Sequence, residues 1–182
     1  MEIQNTPIEG LLVFMPKVFE DERGYFLESF NFKKLKKAGI STSFVQDNES
    51  KSTKGVIRGL HYQLTPHAQA KLVRVIEGTV FDVAVDLRKD SPTFGQWFGL
   101  ELSGENKKQF YIPRGFAHGF SVLSETAVFS YKCDGYYHPE AERGIVYNDP
   151  QLNIDWKVDE KDALVSDKDQ KNVLFQEAEY NF

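Results

Sequence analysis

The sequence predicts an all-β fold, an antiparallel sandwich or barrel, and three observations carry that expectation. From about residue 54 to 134 apolar residues recur every second position, the period of a strand. The periodic segments are short and end at Gly, Asn and Pro turn residues. Almost no helical period separates them, which argues against alternating β/α units.

The elements follow in chain order. "NFKKLKKAG" (31–39) opens on Asn, sets Phe32 and Leu35 on one side and lysines elsewhere, and stops at Gly39; it reads as a short amphipathic surface helix. "VFDVAVDLR" (80–88) alternates Phe81, Val83, Val85 and Leu87 with Asp82, Ala84, Asp86 and Arg88, the pattern of a half-buried strand. "QWFGLELS" runs into the turn "GEN", "KKQFYIP" leads into "RG", and "AHGFSVLS" is followed after a short turn by "TAVFSYKC". The C-terminal "DEKDALVSDKDQKNVLF" (159–175) is charged with scattered apolar residues, and one or two short helices laid against the β core are expected there.

A chain of 182 residues with no Pro/Gly/Ser linker fits one domain over 1–182, and 41% hydrophobic residues with 15 Phe and 8 Tyr supply a real core. A net charge of −5 opposes general nucleic-acid or membrane-surface binding, so any anionic ligand needs local cations. The lone Cys133 allows neither an internal disulfide nor a structural zinc framework, and a cytoplasmic location is expected. The N-terminus lacks the basic and long apolar stretches of a signal peptide, and no apolar run approaches membrane-span length.

Chemistry concentrates in "RGLHYQLTPHAQAK" (58–71). Residues two apart on a strand share a face, so His61 and Gln63 point one way and Arg58 and Tyr62 the other, unless Gly59 marks a bulge that turns Arg58 and His61 to one side. "YIPRGFAHGF" adds a turn and a strand on which His118 and Phe120 share a face. Two readings compete. A metal site would want a second histidine where Gln63 stands and a carboxylate where Lys71 brings a positive charge, and both departures oppose a divalent cation. Metal-free acid/base work needs an imidazole, His61, oriented by a carboxylate, and an acid, for which the inward phenol of Tyr131 is a candidate. A satisfied core role is the bland alternative for any one of these residues. Burying Arg58, His61, Lys71 and His118 together without a ligand would be costly, which favours a site. For Arg23, a solvated turn arginine paired with Glu28 weighs as much as a ligand contact.

The chain resembles the dTDP-4-dehydrorhamnose 3,5-epimerases of nucleotide-sugar metabolism. The resemblance runs over nearly the full length, through "DERGYFLESF", "FVQDNES", "GVIRGLHYQ", "AKLVRVIEGTVFDVAVDLRKDSPTFG", "YIPRGFAHGF", "YYHPEAERGIVYNDP", "DW" and "LVSDKD", in that order. It implies a cupin-like β-barrel or jelly roll with a few short peripheral helices. It also implies no metal and no organic cofactor, and a reaction that turns dTDP-4-dehydro-6-deoxy-D-glucose into dTDP-4-dehydro-L-rhamnose. Hydrogens at C3 and C5 flank the 4-keto group, so removal of either gives an enolate, and one base can serve both.

Position by position, the resemblance implies His61 as base with Asp169 as its carboxylate partner (Asp167 as fallback), Lys71 on the enolate oxygen and Tyr131 as acid. It assigns Arg58 and His118 to the sugar or diphosphate, and Arg23, Phe26, Glu28, Gln46, Asn48, Tyr137, Glu142 and Lys168 to the nucleotide end. Of the two tyrosines in "YYHPEAE", the spacing to Pro139 and Glu142 favours Tyr137. It further implies a homodimer whose "RGYF" segment completes the neighbouring pocket. A C3-only epimerase, an epimerase of another nucleotide-linked keto sugar and a non-catalytic sugar-nucleotide-binding cupin are the rival readings.

Overall fold

The computed structural model describes residues 2–182 and is mainly β, two facing sheets with short helices at the periphery. The first sheet has the order β1 (Glu2–Asn5), β2 (Leu12–Met15), β10 (Gln109–Ile112), β7 (Lys71–Glu77), β12 (Thr126–Cys133), β5 (Gln46–Thr53). The second runs β13 (Glu142–Gly144), β6 (Val56–Gln63), β11 (Phe116–Val122), β8 (Thr79–Asp86), β9 (Trp97–Ser103), with β14 (Leu164–Val165) parallel to β6. A hairpin of β3 (Val18–Asp21) and β4 (Gly24–Leu27) pairs only with itself. This is the antiparallel sandwich that the period-two pattern predicted, in the cupin-like jelly-roll form that the family resemblance implied.

Three apolar layers hold the sheets. Between them lie Val73, Val75, Phe110 and Phe129 from the first sheet against Val80, Ala84, Leu102, Phe120 and Val122 from the second. Phe120 and Phe129 stack across this gap with ring centroids 4.2 Å apart, and each such ring contributes about 1.5–3 kcal/mol by leaving water. The outer face of the second sheet packs Val83, Val85 and Leu87 against Trp156 and Phe175 of the C-terminal segment. On the outer face of the first sheet, α1 (Phe32–Lys37) drives Leu35 into Phe14, Leu72 and Tyr111.

The helix forms as its sequence indicates: the Asn31 side chain accepts from the Lys34 backbone N–H, and Gly39 follows with φ +84°. Its buried side is narrower than expected, since Phe32 stays 40% exposed and Leu35 alone is buried. The C-terminal segment forms the one short helix α2 (Asp167–Gln170), capped by Ser166, with single 3₁₀ turns on either side. The larger correction concerns β8. It is buried on both faces, because Phe81, Val83, Val85 and Leu87 turn to the C-terminal layer while Asp82 and Ala84 turn into the sandwich. Alternation placed Asp82 on a wet face; it is fully buried.

Candidate active site

The inner faces change character toward one end. On β7 the inward alternation Val75, Val73 ends at Lys71, and on β12 Ala127 and Phe129 are followed by Tyr131. Opposite them, β11 brings His118 next to Phe120, and β6 brings His61. Apolar core thus grades into a cavity of about 700 Å³ lined by Arg58, His61, Lys71, His118, Tyr131 and Asp169. A second cavity of about 230 Å³, with Gln46, Asn48, Tyr137 and Glu142 in its wall, shares His61, Lys71 and Tyr131 with the first.

A bulge puts Arg58 and His61 on the same side. His118 pairs with His61 and Phe120 with Arg58, so Gly59 and Leu60 together oppose the single residue Gly119. Gly59 has φ +125°, and a Cβ there would lie 2.6 Å from Gly119 Cα and 2.8 Å from the His118 carbonyl oxygen, so no other residue fits.

His61 Nε2 lies 2.6 Å from Asp169 Oδ1, on the first turns of α2. Asp169 Oδ2 also accepts from the Gly59 N–H at 3.3 Å. Burial pushes the Asp169 carboxyl up, but the hydrogen bond and charge of His61, with Gly59 and Ser166, outweigh it and hold the group below its ordinary value. An ionised carboxylate on Nε2 keeps the ring proton there and leaves the Nδ1 lone pair as the basic site. Asp167 is exposed and takes no part.

His118 forms a second pair that sequence reasoning missed. Its Nε2 stands 3.1 and 3.0 Å from the two oxygens of Asp82. Burial raises the Asp82 carboxyl and lowers the His118 imidazole, each opposed by the other's charge. The contact to both carboxylate oxygens fixes the orientation of the His118 ring. The signal available in the sequence was an aspartate in the middle of an otherwise apolar run, which a central strand tolerates only with a partner.

Burial likewise lowers the Lys71 ammonium, with Cys133, Asp82 and Glu142 opposing, and raises the Tyr131 phenol, so Tyr131 remains a proton donor at neutral pH. The Lys71 Nζ is 5.9 Å from the Tyr131 ring centroid. Arg58 is oriented by its Nε–H, which donates to Ser52 Oγ at 3.0 Å. Among the described residues no group of three or more His, Cys, Asp or Glu is arranged to hold a metal ion.

Five residues expected at the nucleotide end are joined by hydrogen bonds, four of them lining the second cavity and Lys168 lining the first. The Tyr137 hydroxyl and Lys168 Nζ both donate to Glu142 Oε2 at 2.7 Å, the Tyr137 N–H donates to Gln46 Oε1 at 3.1 Å, and Gln46 Nε2 donates to Asn48 Oδ1 at 3.1 Å. Arg23, Phe26 and Glu28 are not among the residues lining either cavity. Arg23 pairs with Asp21 at 2.5 Å and Glu28 with Lys34 at 2.6 Å, so the expected Arg23–Glu28 pair is replaced by two others. Phe26 is 69% exposed on the β3–β4 hairpin.

Residues 5–177 match the family model described as dTDP-4-dehydrorhamnose 3,5-epimerase. The chain belongs to this epimerase family. It is 57% identical over 181 residues to the dTDP-4-dehydrorhamnose 3,5-epimerase of Shigella flexneri, covering 99% of each chain. The fold superposes with a TM-score of 0.93 on the crystal structure of the enzyme of that name from Elizabethkingia anophelis, at 58% identity and 97% coverage of both chains. A TM-score of 0.93 at 56% identity relates it to the dTDP-6-deoxy-D-glucose-3,5-epimerase of Legionella pneumophila in complex with dTDP-4-keto-L-rhamnose, covering 97% of this chain and 93% of that one. The epimerase fold and the two histidine–carboxylate pairs therefore occur together in this chain.

Proposed function

We propose that this epimerase-family chain inverts C3 and C5 of dTDP-4-dehydro-6-deoxy-D-glucose to give dTDP-4-dehydro-L-rhamnose. The observation that carries the reading is the division of labour between the sheets: His61 and His118 come from one, Lys71 and Tyr131 from the other, with the cavity between. Inversion needs a base on one face of the ring and an acid on the opposite face. His61 Nδ1 takes the proton from C5 or C3, and the C–H electron pair moves into the bond toward C4 as charge develops on the C4 oxygen. The Lys71 ammonium stabilises that oxygen, an interaction stronger in a water-poor site than in bulk solvent. Tyr131 delivers a proton from the other side, the C4 carbonyl re-forms, the His61 imidazolium releases its proton to solvent, and the Tyr131 phenolate is reprotonated from solvent. Two such rounds give the product, and the carbonyl already in the substrate supplies the electron sink that a cofactor would otherwise provide.

Arg58 and His118 hold the sugar and diphosphate, the guanidinium matching phosphate oxygens. Gln46, Asn48, Tyr137, Glu142 and Lys168 take the nucleotide. The exposed β3–β4 hairpin supports a homodimer in which Arg23, Phe26 and Glu28 complete the partner's pocket, since one chain leaves Phe19, Tyr25 and Phe26 more than half exposed, at 53%, 52% and 69%. No helix of the described residues is long and apolar enough to cross a membrane, and the reaction on a charged nucleotide sugar suits the cytoplasm. The test is direct: incubation of the purified protein with dTDP-4-dehydro-6-deoxy-D-glucose and NMR of the product. Inversion at both carbons is expected; recovery of unchanged substrate, or inversion at C3 alone, refutes the proposal.

A further inference from the structure

The amide of Gln63, which stands where a metal-binding barrel would carry a second histidine, lines the second cavity but spends its polar atoms on backbone. Gln63 is 4% exposed. Its Nε2 donates to the His67 carbonyl at 2.6 Å and, more weakly, to the Tyr136 carbonyl at 3.4 Å, while its Oε1 accepts from the His138 N–H at 2.7 Å. Tyr137 is thus bracketed: the peptide groups immediately before and after it are tied to one side chain. We infer that Gln63 is a positioning residue that holds Tyr137 against the nucleotide end of the site and couples that wall to the strand carrying His61.

Three observations support this. Gln63 and His61 are two apart on β6 and pair with Glu142 and Gly144 of β13, so the clamp sits on the same rigid strand as the base and beside the acceptor of the Tyr137 hydroxyl. The loop has little other anchorage through its own side chains. His138 stacks on His67 with ring centroids 3.7 Å apart, but its buried Nδ1 has no hydrogen-bond partner. Tyr137 is 51% exposed, so packing does not fix it. Other ties are the Tyr137 N–H to Gln46 Oε1 at 3.1 Å, the Tyr137 hydroxyl to Glu142 at 2.7 Å, Gln69 Nε2 to the Gly135 carbonyl at 2.7 Å, the Ala141 N–H to the His138 carbonyl at 3.1 Å, and, at the start of the loop, Asp134, which accepts from the Ala70 N–H at 2.7 Å and Arg114 Nε at 2.9 Å. Losing Gln63 therefore loosens Tyr137 without freeing it.

The inference rests on Tyr137 contacting the nucleotide, and the experiment separates the two. Gln63→Met, Tyr137→Ala and the double variant are compared with the unaltered protein for binding of dTDP alone by calorimetry, for KM and kcat on the nucleotide sugar, and for melting temperature. Gln63→Met is expected to weaken dTDP binding and raise KM by about three- to tenfold, the scale of one or two neutral buried hydrogen bonds, with kcat at saturation within about twofold. In the Tyr137→Ala background the same change should add less than about twofold, because the group being positioned is gone. Should Gln63→Met not fold, Gln63→Leu carries the same expectation. Unchanged dTDP affinity in a folded Gln63 variant, or losses that multiply in the double variant, overturns the positioning role alone. Unchanged affinity in Tyr137→Ala overturns the nucleotide assignment and this inference with it.

Discussion

Replacing Asp169 by Asn preserves shape and removes one charge, and the structure sets the size of the loss. Asp169 Oδ1 lies 2.6 Å from His61 Nε2, with the carboxylate side chain 5% and the imidazole 32% exposed. When His61 takes a proton from carbon, a full ion pair forms. At an effective dielectric constant near 20, unit charges about 4 Å apart attract by about 4 kcal/mol. Hydrogen bonds to charged groups contribute about 1.5–3 kcal/mol net, and solvent reaching the imidazole favours the lower range. A loss of about 1.5–3 kcal/mol corresponds to roughly ten- to hundredfold in kcat. Asn adds a conflict of its own. Its NH₂ must face either the Gly59 N–H, now bonded to Oδ2 at 3.3 Å, or His61 Nε2. The second choice moves the ring proton to Nδ1 and abolishes the basic lone pair. Steady-state kinetics with dTDP binding as the control measures the effect, and Asp167→Asn, on the exposed side of α2, should stay within about twofold. Equal, small effects from Asp169→Asn and Asp167→Asn would refute the dyad.

Three further outcomes follow from the geometry. Tyr131→Phe should spare proton abstraction and impair reprotonation, so solvent deuterium washes into recovered substrate faster than product forms; complete epimerisation at the normal rate would assign the acid elsewhere. Burial lowers the Lys71 ammonium from 10.5 and raises the Tyr131 phenol from 10.0, so Lys71 loses its proton first as pH rises. Activity should therefore fall along an alkaline limb below 10.5 that moves upward in Lys71→Arg, read from kcat against pH; a limb unmoved by that change contradicts the enolate role. Gly59→Ala forces a Cβ to within 2.6 Å of Gly119 Cα at φ +125°, and should cost at least about 2 kcal/mol by denaturant titration together with most activity.

The β core was legible because alternation is a local signal, and the grouping of Arg58, His61, Lys71 and His118 around one cavity because they fall on a few strands; Asp169 beside His61 was indicated only by the family resemblance. The bulge at Gly59 could be foreseen from a glycine inside a strand. Asp82 could not be placed, since alternation distinguishes two faces but not which of them meets water; the apolar face of β8 is covered by Trp156 and Phe175, some 70 residues or more downstream, and the Asp82 face turns toward the other sheet. β1, β3 and β5 went unassigned because "EIQN", "VFED" and "QDNESKST" are polar edge or hairpin strands with weak alternation. The partners of Arg23 and Glu28 were misjudged for a related reason: exposed side chains take whichever opposite charge is nearest, here Asp21 and Lys34, and the sequence offers several.

The central claim, that one imidazole ionises two carbon acids flanking a ketone, is tested most directly by running the reaction in heavy water. Deuterium should appear at both C3 and C5 of the product with the unaltered protein, and His61→Ala should lose exchange at both positions together while still binding dTDP. Label at a single carbon, or exchange at either carbon surviving in folded His61→Ala, would contradict it.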